Sequence, residues 1–155
     1  MITNIEIAGQ PEFYVAGITV RTINKDGQSQ KDIGALWTRF MNEGISQTIA
    51  GRVSDDTYCL YTDYETDYTG YYTALIGCKV SSPDQLPDGL TGLTVHKGKY
   101  KVFTLTGKFP ENVHEAWQEI WRSETDRAYT VDFDLYAGNA KSFEETGVKI
   151  YLAIN

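Results

Sequence analysis

The chain has 155 residues, 41% hydrophobic and 23% charged, with a net charge of −7; that is room for one domain with its own core and too little for two. An acidic chain without a basic stripe repels nucleic acid and anionic lipid and concentrates small cations, although acidity also serves solubility alone. No apolar run reaches the roughly 18 residues of a membrane span, and the start Met1–Glu6 carries neither a basic nor an apolar signal region, so the expected address is the cytoplasm.

In chain order, the first strand pattern is Tyr14–Val20. Next, Ile33, Leu36, Trp37, Phe40 and Met41 fall at i, i+3, i+4, i+7 and i+8, the stripe of an amphipathic helix. Asn42-Glu43-Gly44 is a stop signal for it. Tyr58–Tyr61 and Gly70–Ile76 read as strands. Between them, Tyr61 to Tyr71 interleaves acids with aromatics: either a pocket lid or a solvated hairpin loop, without calcium-loop spacing. The segment 81–89 is rich in turn residues and joins two halves.

The second half repeats the first. Tyr100–Thr106 is a strand pattern, and Pro110-Glu111 starts a second helix. Its stripe is Val113, Ala116, Trp117, Ile120 and Trp121, offset from the first by 80 residues throughout. Phe133–Tyr136 and Val148–Ala153 close the chain. Each half reads β-α-β-β, with repeats at about 8–80 and 90–155 of a single domain 1–155. The expected fold class is α+β: a curved antiparallel sheet with helices on one side and a central ligand cleft between the repeats.

Cys59 and Cys78 have no histidine partner and read as small buried residues; His96 and His114 form no zinc-type cluster. No metal, cofactor, nucleophile motif or phosphate loop is implied. What remains is an unusual number of tyrosines, eleven, beside three tryptophans. Tyrosine combines a flat apolar face with a polar tip, which suits strands and pockets alike.

Strand alternation then selects candidates. With Phe133 and Leu135 assigned to the helix side, Asp134 and Tyr136 point to the uncovered face and its cleft. With Val148, Ile150 and Leu152 in the core, Lys149 and Tyr151 share that opposite face. Cys59 and Tyr61 face the cleft from the first repeat. A carboxylate among tyrosines supplies charge and ring faces for an organic cation; the plainer alternative is a solvated Asp134 on an outer face. Trp37, Trp117 and Trp121 lie on the helix stripes and suit core packing, with Trp117, the counterpart of Trp37, able to reach the cleft rim.

Ala35–Phe40, Tyr61–Tyr68, Ala116–Trp121, Ala128–Tyr136 and Val148–Ile154 together resemble the integron-cassette-associated effector-binding proteins of the wider GyrI-like group. That group includes effector-binding domains of AraC-type and MerR-type transcription regulators. The resemblance implies the duplicated fold and a small-molecule site for bulky, hydrophobic, cationic compounds, in the manner of multidrug-binding domains. The family's acidic motif reads here Phe133-Asp134-Leu135-Tyr136, with the acid one methylene shorter. Lys149 stands where relatives carry a second acid, and across two strands it could pair with Asp134. Regulator relatives add a helix-turn-helix segment that this sequence lacks, so a stand-alone effector-binding protein without direct nucleic-acid contact is expected. Two other readings stay open: a hydrolase of electrophilic small molecules with Asp134 as general base, and a protein–protein adaptor with an unspecified partner.

Overall fold

The computed structural model describes residues 1–84, 86–138 and 147–155. Gln85 of the joining segment and residues 139–146 of the second repeat lie outside the described residues. The elements are β1 (Ile2–Gln10), β2 (Phe13–Ile23), α1 (Gln28–Asn42), α2 (Ile45–Thr48), β3 (Thr57–Thr62), β4 (Tyr71–Val80), β5 (Thr91–Val95), β6 (Gly98–Leu105), α3 (Glu111–Ser123), β7 (Asp132–Tyr136) and β8 (Val148–Ala153). Both striped segments are helices. Gly44, in the left-handed region at φ 59, stops α1 where its amide turns back to the Met41 carbonyl. Met41 is the exception on its stripe: it is 53% exposed.

Among the described residues, eight strands form one antiparallel sheet in the order β1-β6-β8-β7-β3-β4-β2-β5. The order reads the same from either end when each repeat is exchanged for the other, with the pseudo-twofold between β7 and β3. Each repeat is therefore ββαββ, one strand longer than the sequence pattern indicates. The extra strands, β1 and β5, are the sheet's edges; β1 escapes pattern reading because its Ile5 and Ile7 are exposed.

The connections force the sheet to curl. Strands β1 and β2 stand six intervals apart, about 29 Å in a flat sheet at ~4.8 Å per interval. Only Pro11 and Glu12 join them, and that span reaches about 11 Å at most. His96 and Lys97 impose the same closure between β5 and β6. Strands β2 and β4 approach closely where Gly17 pairs with Gly77: a Cβ on either would run into the backbone carbonyl of Ile76 or Ala16, so neither site admits a side chain.

Curling buries both faces. The helix-free face becomes the inside and is filled by Phe13, Tyr58, Tyr100 and Phe133 with aliphatic neighbours such as Leu60 and Val102. Phe13 and Phe133 sit on strands three intervals apart, yet their ring centroids are 5.4 Å apart. The other face carries α1 and α3 over Ala74, Ile76, Phe103, Ile150 and Leu152. Cys59 and Cys78 are buried free thiols of this second core. Among the described residues, no helix is long and apolar enough to cross a membrane.

Candidate functional site

The facing of β7 follows from its neighbours. Asp134 stands opposite Cys59 of β3 and Ile150 of β8, whereas Phe133 stands opposite Leu60 and Tyr151. Directly opposed residues of an antiparallel pair share a face. Cys59 and Ile150 belong to the core under the helices, Leu60 and Phe133 to the inner one. Asp134 and Tyr136 therefore face the helices, and the cleft lies on the helix-bearing side between α1 and α3. This reverses the facing that alternation suggested for β7. Phe133 and Leu135 are apolar because the inside of the curl is a core too, so apolarity does not mark the helix side.

Lys149 and Tyr151 lie on that inner-facing side, as their alternation with Ile150 requires, and do not join Asp134. Tyr151 stacks on Phe133 at 4.5 Å between centroids. Lys149 is opposite Leu135, so the pairing with Asp134 that the sequence left open does not form.

The remaining candidates come together. A cavity of about 430 Å³ opens between the helices. From α1 it takes Ile33 and Trp37, from α3 Val113, Trp117 and Trp121, and from the sheet Tyr61, Tyr72 and Tyr136. The two repeats meet crosswise at its floor. Trp37 of the first repeat meets Tyr136 of the second edge-on at 5.0 Å, and Trp117 of the second meets Tyr61 of the first at 5.1 Å. The loop after β3 supplies a wall: Tyr64 and Tyr68 line the cavity, and Tyr68 stacks on Trp121 at 6.1 Å.

Asp134 is fully buried directly beneath this floor. Its Oδ2 accepts the Tyr61 hydroxyl at 2.5 Å and the Tyr136 hydroxyl at 3.4 Å, and its Oδ1 accepts Trp117 Nε1–H at 2.9 Å. Burial pushes its carboxyl up to about 7; the three donors pull the other way, and neighbouring Asp132 adds to the rise. Burial and the adjacent carboxylate hold the hydroxyls of Tyr61 and Tyr136 protonated, so both remain donors. Among the described residues no basic side chain forms an ion pair with Asp134. Burial also lowers His114 at the cavity wall below its ordinary value, which keeps it neutral at pH 7.

Sequence reasoning missed a second polar cluster at the same site. Asp132, on the same face as Asp134 and two residues away, accepts the Tyr64 hydroxyl at 2.5 Å, Arg127 Nη2–H at 2.8 Å and the Ala153 amide at 2.7 Å. Arg127 lines the cavity although its side chain is only 2% exposed. Burial opposes its charge, but Asp132 and the tyrosines around it more than restore it, so the guanidinium stays protonated. Asp132 was legible from the period of two that gives Asp134; Arg127, in an irregular segment, had no such signal.

Comparison with known proteins places this architecture. A family model described as integron-associated effector binding protein matches residues 6–154. YobU of Bacillus subtilis, whose name provisionally assigns it to the transcriptional regulators, is 32% identical over 144 residues, covering 90% of each chain. An integron cassette protein from the mobile metagenome of Vibrio cholerae superposes with a TM-score of 0.75 at 32% identity, covering 99% of this chain and 97% of the other. The protein SAV2435, solved bound to tetraphenylphosphonium, has the same TM-score at 18% identity, covering 99% and 94%; at that identity the likeness shows the fold.

Proposed function

Since the chain belongs to the integron-associated effector-binding family, we propose that it binds a bulky aromatic organic cation in the cavity between α1 and α3, with Asp134 as the counter-charge. The carrying observation is the fully buried Asp134 carboxylate, held by Tyr61, Trp117 and Tyr136 under an aromatic floor and lacking an ion-pair partner among the described residues. A cavity of about 430 Å³ is in the range for drug-sized ligands, roughly 300–1,000 Å³. The tetraphenylphosphonium complex of SAV2435 supports the same ligand chemistry on the same fold.

Tyr61, Trp117 and Tyr136 each direct a polar hydrogen at Asp134, and all three line the cavity. A cation seated there meets ring faces, worth about 0.5–2 kcal/mol each when dry, with the carboxylate one ring behind. At about 7 Å and an effective dielectric of about 20, that charge adds roughly 2 kcal/mol. Both carboxylate oxygens are already engaged and the residue is enclosed, which favours a charge-sensing role over that of a general base acting on substrate.

The test uses two probes of the same shape and opposite charge, tetraphenylphosphonium and tetraphenylborate, followed by tryptophan fluorescence in wild type and Asp134→Asn. The phosphonium is expected to bind saturably at least tenfold tighter than the borate, and to lose at least tenfold in the variant. Equal affinity for the two ions, or no effect of the substitution, refutes the charged-pocket reading.

A further inference from the structure

Helix α1 carries a glycine in its interior, Gly34, on the side that lines the cavity. Glycine is the poorest helix former after proline, so its place there needs a cause. Two structural causes are absent. Its backbone lies outside the left-handed region, where glycine would be required. A Cβ built on it would meet nothing within 4 Å beyond its chain neighbours and its own helix backbone. Neither conformation nor packing against the described residues asks for a glycine here. Gly34 is also exposed, so the space in front of it is open to solvent without moving a side chain.

The duplication shows what the glycine replaces. At the offset of 80 residues, Ile33 corresponds to Val113, Gly34 to His114 and Trp37 to Trp117, and all of these line the cavity. Where α3 projects an imidazole, α1 presents bare backbone. One turn further on, Gln118 and Trp121 of α3 still line the cavity, whereas Thr38 and Met41, their counterparts on α1, do not. The aromatic box is therefore less filled on its α1 side, with Gly34 in the gap and the apolar surfaces of Ile33 and Trp37 beside it.

We propose that the bare backbone at Gly34 is the subsite for one aromatic arm of the ligand, so that the pocket selects branched, multi-ring cations over smaller ones. A ring lying against α1 at this point occupies the space that a side chain would take, and buries its apolar area against Ile33 and Trp37. The charged centre then sits over the Tyr61–Trp117–Tyr136 floor. Gly34 is in this sense a specificity residue that acts by having no side chain, and the helix gives up stability to keep it. This rests on the cation-binding reading above.

The experiment compares tetraphenylphosphonium with methyltriphenylphosphonium, which has the same charge and one ring fewer, in wild type, Gly34→Ala and Gly34→Leu. Tryptophan fluorescence reads affinity and urea denaturation reads stability. Both variants are expected to raise the urea midpoint, since each installs a better helix former; a lost affinity then cannot come from a damaged fold. Gly34→Leu should weaken the four-ring ion at least tenfold and Gly34→Ala by a smaller factor, while the three-ring ion changes less than twofold in either. Unchanged affinity of the four-ring ion in Gly34→Leu overturns the proposal. So do equal losses for both ions, slower binding at unchanged Kd (an entrance and no subsite), and a lowered urea midpoint in Gly34→Ala, which would mean that the fold itself needs the glycine. Failure of tetraphenylphosphonium to bind wild type overturns the cation-binding reading and this one with it. Binding that Asp134→Asn weakens and Gly34→Leu leaves intact removes the Gly34 role alone.

Discussion

Replacing Asp134 by asparagine should stabilise the protein while removing the proposed counter-charge. Asparagine keeps the shape: its carbonyl in the Oδ1 place can accept from Trp117 while its amide in the Oδ2 place donates to the Tyr61 and Tyr136 oxygens. What it removes is the ionisation of a fully buried carboxyl. In the unfolded chain that carboxyl ionises near 3.8, in the fold at about 7. The folded state thus holds the proton more tightly, and stability falls as pH rises from about 4 to about 7, then levels. Linkage across those two values gives a loss of about 4 kcal/mol by pH 8, of which about 2–3 kcal/mol develops between pH 5 and pH 8. The assay is urea denaturation of wild type and Asp134→Asn at half-unit steps over that range, taking the difference at each pH so that groups common to both cancel. The variant's advantage should grow with pH and plateau above 7. A difference that is flat in pH, or a variant less stable than wild type at pH 8, refutes the claim that a buried, destabilising charge is kept here for a purpose other than folding.

Two further substitutions test the scaffold around the site. Asp132→Asn leaves the Arg127 guanidinium buried beside an amide that cannot satisfy Tyr64, Arg127 and Ala153 together, and should cost about 3–5 kcal/mol in urea denaturation; a cost below 1 kcal/mol would mean the cluster is wetter than its geometry indicates. Gly77→Ala places a methyl group against the Ala16 carbonyl where β2 and β4 approach closely, and should cost at least about 3 kcal/mol or prevent folding, read by circular dichroism and thermal melting.

The duplication and both helices were legible because the stripes are long and repeat at a constant offset of 80 residues, so each copy confirms the other. The site was legible in composition and not in orientation. In Phe133-Asp134-Leu135-Tyr136, alternation separates the aspartate from the apolar pair but does not say which set faces the helices. Pairing decides that, through Cys59 and Ile150 on either side of Asp134, and pairing is a property of the closed sheet. The same closure makes the inside of the curl a second core and sends Tyr151 and Lys149 there. Edge strands β1 and β5 were missed because neither presents a run of buried apolar residues: Ile5 and Ile7 of β1 are exposed, and in β5 only Val95 is buried.

The crosswise floor of the cavity shows what duplication contributes and what it does not. Tyr58-Cys59-Leu60-Tyr61 and Phe133-Asp134-Leu135-Tyr136 occupy equivalent positions on adjacent central strands, and Cys59 and Asp134 stand opposite each other across the pseudo-twofold. The tyrosine that ends each motif, Tyr61 or Tyr136, packs under the tryptophan of the other repeat's helix. Symmetry alone therefore yields an aromatic box, whose ring faces favour a cation only modestly. On the proposed cation-binding reading, the asymmetry at one pair of positions, a thiol on one side and a carboxylate on the other, is what reinforces that preference. Burial holds the Cys59 thiol well above its ordinary value, with Asp134 adding to the rise, so it stays neutral. Two acids facing each other there would share one proton rather than double the attraction, which is a physical reason for a single acid at the centre of a duplicated site.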